Sequence, residues 1–406
     1  MIGKIKAKFG DIKWFLRQLS YREFLPLKKD LENKEAKELS ELLKSDSYEE
    51  TLTNILEWQE RNIQYWDERA DMFTLLLIFS TIAFGFVLFS VQQYWWIIPL
   101  IILCFYFSGN FLPFFISALS LATEIIVAIV VFVYVANTSV IIMTVGLSII
   151  FGSILSLLLY GILKYRYLKR AVPEIRFEDA FKISLPVEKI LQYRLAICRD
   201  YAKLTATLLI NSFNSKDNIY FMCIPYHVAT AIEIKGRMYV LDQKLPITTR
   251  DKWIEKWSRR YFDGFWPRLL SYFNIRKRMP LKVYKMIEEN GETRVKKVFH
   301  QKIRDVSDVP KVNEGALTNK IASKLGISQM SEKLEPNAKI TLKNFALLYD
   351  ESEIVEFSLL KAIKNKLDSE LCDNIKKVTK IEVFQNGSDL TLAVYMRKCA
   401  RIPTSF

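Results

Sequence analysis

A long stretch without basic residues is the first constraint on what this chain can fold into. From residue 72 to residue 163 there is no lysine or arginine, and Glu124 is the only acid. About 20 apolar residues in one helix are enough to cross a bilayer, and the stretch divides into segments at 72–91, 97–107, 111–135 and 140–163. The sequence therefore predicts a helical transmembrane bundle of about four spans, although the short second segment leaves three spans as an alternative.

The charges that flank this stretch predict its orientation. Four basic residues follow the last segment: Lys164, Arg166, Lys169 and Arg170. Since cytoplasmic loops carry an excess of lysine and arginine, we predict a multi-pass protein of the cell membrane whose C-terminal part is cytoplasmic. With four spans the N-terminal part is cytoplasmic too, and with three it is outside. Glu124 would be costly at the bilayer centre, but it has no basic partner there, which favours an anchor over a transporter.

Three further regions surround this stretch. Residues 1–71 are expected to be helical, with a basic amphipathic helix near the start that either lies on an anionic membrane surface or packs against a partner helix. Ser47 and Glu50 form a capping box before a helix expected to continue into the first span. Residues 172–280 carry the catalytic motifs below. Residues 281–406 indicate a C-terminal α+β module with hairpins at 281–300 and 380–397 and a helix at 353–377.

The expected fold class is thus multi-domain. It combines the transmembrane bundle (72–163) with a cytoplasmic α+β domain and the C-terminal α+β module. The strongest chemical signature lies in the α+β domain, where Cys198 precedes a run whose apolar residues recur every three or four positions up to Phe213. In the first turn of a helix, unpaired N–H groups and the positive end of the dipole favour a thiolate over a thiol. Cys198 is therefore a candidate nucleophile.

A predicted strand pair supplies candidates for a base and its orienting group. Residues 220–234 have a strand pattern that places His227 on one face with Ala229. Lys235-Gly236 can turn the chain back into residues 237–242. With a two-residue turn, Asp242 lies diagonal to His227 on the same face, close enough for their side chains to meet. A three-residue turn would move Asp242 to the opposite face. The contact between His227 and Asp242 therefore depends on the length of the turn.

Together these motifs resemble the transglutaminase-like superfamily. The resemblance rests on three short segments in order: Cys198-Arg199-Asp200-Tyr201-Ala202, His227 followed by Glu233, and Val240-Leu241-Asp242 ahead of Pro246. It implies a papain-like fold with Cys198 as nucleophile, His227 as base and Asp242 as orienter. It also implies an enzyme that attacks an amide or peptide bond through a thioester, as a hydrolase rather than a cross-linking enzyme. Some members have lost catalysis, so an inactive interaction scaffold is the alternative.

Composition bears on cofactors and partners. A metal site built from Cys198, Cys223, His227 and Asp242 lacks any standard zinc spacing, so we predict no metal and no cofactor. The five cysteines are an odd, scattered set, which suggests no disulfide framework and fits a reducing compartment. The net charge is +14, which favours anionic lipid headgroups as one partner, beside a protein or peptide substrate. Since the chain has no nucleic-acid-binding motif, we do not expect nucleic acid.

A cluster of aromatic and basic residues at 252–278 has several interpretations. It includes Trp253 and Trp257 among lysines and arginines. The cluster could dock onto headgroups or form the wall of a substrate groove, but packing onto the core is the commoner role of so many aromatic side chains.

Overall fold

The structure is a computed structural model that describes residues 23–66, 161–180, 182, 184–216, 218–225, 227–262, 278–289, 291–303, 308–327, 336–371 and 378–396. These residues belong to two compact units of an α+β fold. The first unit contains the described residues of 23–24, 64–66 and 161–200. The second contains Leu25–Ile63 and the described residues from Tyr201 onwards.

The helices and strands of these described residues are as follows. The helices are α1 (Lys28–Leu31), α2 (Lys34–Leu43), α3 (Tyr48–Asn62), α4 (Phe177–Ala180), α5 (Val187–Tyr193), α6 (Cys198–Phe213), α7 (Arg250–Phe262), α8 (Glu314–Leu325), α9 (Phe345–Leu348) and α10 (Glu353–Leu371). The strands are β1 (Gln64–Tyr65), β2 (Leu195–Ala196), β3 (Ile219–Ile224), β4 (His227–Ile234), β5 (Arg237–Leu241), β6 (Thr248–Thr249), β7 (Met279–Glu289), β8 (Glu292–Ile303), β9 (Ala338–Leu342), β10 (Val378–Asn386) and β11 (Asp389–Met396). Residues 161–171 are also helical.

An antiparallel sheet organises the second unit. Its strand order is β6-β5-β4-β3-β7-β8, and the first six residues of β4 are all buried because helices cover both faces. On one face Thr230 donates a hydrogen bond of 2.7 Å to the Ala202 carbonyl of α6. On the other face Trp253 of α7 packs against Ala229 and Ala231. Side chains alternate along a strand, so His227 shares the α7 face.

Of the two turn lengths that the sequence leaves open between β4 and β5, the structure has the two-residue turn. Ile234 pairs with Arg237 and Thr230 pairs with Leu241. Continuing this register by one residue places Ala229 opposite Asp242. Lys235 and Gly236 have φ values of 51° and 76°, the left-handed conformation that two-residue hairpin turns of this kind require. The register is therefore the one that the sequence predicts for a two-residue turn.

The N-terminal segment of the second unit packs against its helices. The Ser47 hydroxyl accepts a hydrogen bond of 3.1 Å from the Glu50 N–H, so the predicted cap of α3 is present. Gln59 of α3 donates to Thr205 of α6 at 3.0 Å. The expectation that α3 continues into a membrane span is wrong, because α3 ends at Asn62 and the chain enters β1.

A second, smaller sheet forms the C-terminal part of the second unit. Its strand order is β10-β11-β9, with antiparallel neighbours, and a core shared with α8 and α10 lies on one of its faces. Both predicted hairpins are present: Glu289 pairs with Glu292 around the first turn, and Asn386 pairs with Asp389 around the second. The helix predicted at 353–377 is α10 as far as Leu371, and residues 372–377 lie outside the described residues.

The structure corrects the predicted fold class. Within the ranges that the structure describes, no helix combines the length and apolar composition that a bilayer crossing requires. Helix α6 has 16 residues, and α10 has 19 but carries charged residues along its whole length. For this part of the chain the predicted transmembrane bundle is wrong. Residues 72–160, including Glu124, and the basic helix predicted near the N-terminus lie outside the described residues.

For the part of the chain that the structure describes, the same finding contradicts the predicted multi-pass membrane location. The sequence predicts that the basic residues after position 163 are the cytoplasmic flank of a last span. In the structure Lys164 is instead buried, with its Nζ 4.9 Å from the centre of the Trp66 ring. A lysine can bury its aliphatic stem and place its charge over an aromatic face, so a basic residue after an apolar run does not by itself mark a membrane boundary.

Candidate active site

The structure brings His227 and Asp242 together within the second unit. His227 begins β4, and Asp242 directly follows β5. The His227 Nε2 and the Asp242 Oδ1 are 2.7 Å apart, and their side chains are only 5% and 10% exposed. This is the diagonal contact that the two-residue turn predicts. A short, buried contact of this kind fixes the orientation of the imidazole.

Two tryptophans of α7 hold the other oxygen of the same carboxylate. Trp253 and Trp257 donate their indole N–H groups to the Asp242 Oδ2 at 2.8 and 2.9 Å. They are four residues apart and therefore lie on one face of the helix. Trp257 also stacks on the His227 ring, with centroids 3.9 Å apart and planes inclined by 26°. The carboxylate thus accepts from three N–H groups, and the imidazole is held from its edge and from its face.

The protonation state of the pair follows from these contacts. Burial by itself would raise the pKa of Asp242, but the His227 imidazole, the charge of Lys256 and the Trp257 N–H outweigh burial and hold that pKa well below its usual range. An ionised carboxylate only accepts hydrogen bonds. When the His227 ring is neutral, its proton must therefore lie on Nε2, and Nδ1 carries the lone pair. This tautomer makes Nδ1 the atom that can accept a proton.

The lowered pKa of Asp242 predicts how stability depends on pH. In the unfolded chain the carboxyl returns to its ordinary pKa of about 3.9, so around that pH the folded state binds fewer protons and stability falls as the pH falls. The contribution of Asp242 is present above about pH 5 and is lost as the pH drops below about 4. We expect the urea midpoint to fall less steeply between pH 5 and pH 3 in Asp242→Asn than in the wild type. If the urea midpoints of the two proteins fall in parallel over this pH range, the expected role of Asp242 is contradicted.

Cys198 is the first residue of α6, as the sequence predicts, and it belongs to the first unit. Asp200, in the same helical turn, is buried and accepts hydrogen bonds from the Ser184 hydroxyl at 2.8 Å and from the N–H groups of Leu185 and Ile197 at 2.9 and 3.3 Å. A side chain at this position that binds the N–H just before the helix is half of a capping box. Asp200 therefore fixes the backbone that carries the half-buried thiol.

The comparison with protein families agrees with the sequence motifs. A profile described as a transglutaminase-like domain matches residues 34–149 and 154–263, more than half of the chain. The chain belongs to this family. The match includes Cys198, His227, Asp242 and both tryptophans.

Several archaeal proteins are similar to this transglutaminase-like chain. A UPF0252 protein of Methanocaldococcus jannaschii is 28% identical over 385 residues, which cover 93% of this chain and 97% of that protein. A UPF0252 protein of Pyrococcus horikoshii is 32% identical over 83 residues, covering 19% of this chain and 26% of that protein. An uncharacterized M. jannaschii protein is 41% identical over 59 residues, covering 14% and 84% respectively. No solved structure matches the chain.

The three predicted catalytic residues thus differ in what the structure says of them. His227 and Asp242 are in direct contact, whereas Cys198 lies in the other unit, so its part in a triad stays a prediction. Trp253 and Trp257 belong to the aromatic and basic segment for which the sequence indicates core packing, docking onto headgroups or the wall of a substrate groove, without a contact to Asp242. Their four-residue spacing was the signal that both indoles point the same way.

The structure also bears on the metal site considered above. Cys223 lies opposite Val228 in the β3–β4 pair, whereas His227 lies opposite Ile224. Because paired residues share a face and neighbours along a strand alternate, Cys223 and His227 are on opposite faces of the sheet. Across the described residues, no three His, Cys, Asp or Glu side chains are grouped so that they could hold a metal ion.

Proposed function

We propose that this transglutaminase-like protein is a cysteine enzyme that cleaves an amide or peptide bond through a thioester intermediate. The observation that supports the proposal best is the buried Asp242 carboxylate, which accepts three N–H groups and keeps the His227 proton on Nε2. A histidine with a purely structural role needs only one satisfied polar contact. Here three side chains fix both the tautomer and the plane of the ring, which is what a general base requires.

The proposed reaction has two stages. In the first, the Cys198 sulfur attacks the carbonyl carbon and its proton passes to Nδ1 of His227. The imidazolium, stabilised by Asp242, then gives that proton to the leaving amine as the C–N bond breaks, and a thioester remains. In the second, His227 takes a proton from water and the resulting hydroxide attacks the thioester carbon. The carbon–sulfur bond then breaks, the acid leaves, and His227 returns the proton to the Cys198 sulfur. Water needs no dedicated binding site, which favours hydrolysis over cross-linking.

Selective alkylation of Cys198 tests this proposal. At pH 6 an ordinary thiol, with a pKa of about 8.5, is almost entirely protonated and reacts slowly with iodoacetamide. We expect Cys198 to be alkylated at least about tenfold faster than Cys223, since a thiolate is the reactive form. Peptide mass spectrometry of the full-length protein after timed labelling gives both rates in one sample.

Cys223 is a matched internal control, because it is also half-buried in the structure. Cys198→Ser must remove the fast phase, which assigns it to this sulfur. Equal rates at the two cysteines would contradict an activated thiol and would favour the alternative, a transglutaminase-like module that acts as an interaction scaffold.

A further inference from the structure

The edge strand β8 carries an exposed surface that the proposed reaction does not use. β8 is the last strand of the six-stranded sheet and pairs only with β7 among the described strands. Seven consecutive residues, 296–302, are exposed. An edge strand presents unpaired N–H and C=O groups, which another extended chain can pair with. Such a long exposed edge is a place where a strand can be added.

The side chains of this edge are strongly basic on one face. Lys297, His300 and Lys302 lie opposite Tyr284, Lys282 and Pro280 of β7. Since paired residues share a face, these three side chains and Lys282 form one row, which we call the basic row. The ion pairs among the described residues include none to Lys282, Lys297 or Lys302. An anionic partner could therefore pair with these lysines.

The opposite face of the same edge is partly apolar. Phe299 lies opposite Val283 and is 38% exposed. Val298 is the unpaired residue at the irregularity between the Val283–Phe299 and Tyr284–Lys297 pairs, and it is 47% exposed. Lys296, opposite Lys285, lies further along this same face, so the face is apolar around Phe299 only. A strand added to β8 would therefore present alternate side chains to the basic row and to the apolar surface around Phe299. The matching sequence alternates acidic and apolar residues.

We propose that β8 is a docking site for an extended acidic segment of another protein, one that alternates acidic and apolar residues and pairs with β8 as an added strand. This proposal does not depend on the catalytic one. A second copy of this chain is a poor occupant, because β8 paired with β8 would place two basic rows side by side. Nucleic acid can meet the charge, but it cannot use the backbone hydrogen bonds of the edge or the alternation of the two faces.

The test measures binding of a fluorescent peptide of alternating glutamate and valine to the full-length protein by fluorescence anisotropy. We expect saturable binding that weakens with added salt, because exposed charge pairs are screened. Lys297→Glu combined with Lys302→Glu should weaken binding roughly tenfold, since two attractive pairs become repulsive. The control is Lys339→Glu, an exposed lysine on the edge strand β9 of the other sheet, which should leave binding unchanged.

Two further probes separate strand addition from simple attraction of charge. N-methylation of alternate amides of the peptide keeps its charge but removes the donors on one of its edges, and one of the two alternating patterns should abolish binding. A single-stranded oligonucleotide of equal charge should bind at least about tenfold more weakly, because it cannot pair with the edge. Equal binding by both N-methylated peptides, equal binding by the oligonucleotide, or no binding of the parent peptide would overturn the proposal.

Discussion

Replacing Asp242 with alanine is expected to lower the free energy of unfolding by about 3–5 kcal/mol, because it leaves two buried N–H donors and one half-buried donor without their acceptor. The donors are His227, Trp253 and Trp257, which lie 2.7 to 2.9 Å from the carboxylate. The sheet and α7 hold all three in place, so they cannot easily turn toward water. Urea unfolding followed by tryptophan fluorescence measures the change.

A matched control is the exposed carboxylate of Asp368 on α10. Asp368→Ala should change the unfolding free energy by no more than about 0.5 kcal/mol, as is usual for surface substitutions. The loss of unfolding free energy in Asp242→Asn should lie between the losses in Asp242→Ala and Asp368→Ala. The amide oxygen of asparagine can still accept a hydrogen bond, but its NH₂ group faces a donor. If Asp242→Ala costs no more than Asp368→Ala, the carboxylate does not hold the two indoles and the imidazole as described.

Local rules predicted the backbone around the candidate site. The Lys235-Gly236 turn sets the pairing of β4 with β5, and with it the face on which Asp242 lies. The start of α6 at Cys198 follows from the apolar period that begins just after it. Both features depend on residues close together in sequence, where turn chemistry and helical periodicity act directly. The contact between His227 and Asp242 follows from these rules once the turn has two residues, and the sequence left that length open.

The contacts of the two indoles with Asp242 could not be predicted from such local rules. Trp253 and Trp257 are 11 and 15 residues beyond Asp242, and they reach it only because α7 packs on the face of the sheet that holds His227. Periodicity shows that the two rings share a helix face, but not which surface that face covers. The choice is made by tertiary packing against Ala229 and Ala231, whose small side chains leave room for a fully buried indole.

The membrane prediction failed for a different physical reason. It relied on the charges that flank the apolar stretch, and composition does not record what surrounds a charged side chain. Lys164 shows the difference, since a residue interpreted as a charge at a membrane boundary is buried beside the Trp66 ring. A lysine that packs inside the protein and a lysine at a membrane boundary look alike in the sequence. Only the burial of the side chain, which the structure shows, distinguishes them.

Replacing His227 with glutamine is expected to slow alkylation of Cys198 at pH 6 by about 100-fold, the lower range of what a positioned general base contributes. Glutamine can still donate an N–H group to Asp242, so the buried carboxylate keeps a partner, but it cannot take a proton from a thiol. The variant therefore removes the base with little change to the packing. The rate is measured by mass spectrometry of the Cys198 peptide after timed exposure to iodoacetamide.

His300→Gln is the matched control, because the chain has two histidines and His300 is exposed on β8, outside the candidate site. It should leave the rate unchanged. At about pH 9.5 an ordinary thiol is mostly ionised without help, so the rates of His227→Gln and the wild type should converge there. A His227→Gln protein that reacts as fast as the wild type at pH 6 would show that the imidazole does not take the proton of this thiol. In that case the buried pair would have a structural role within the sheet.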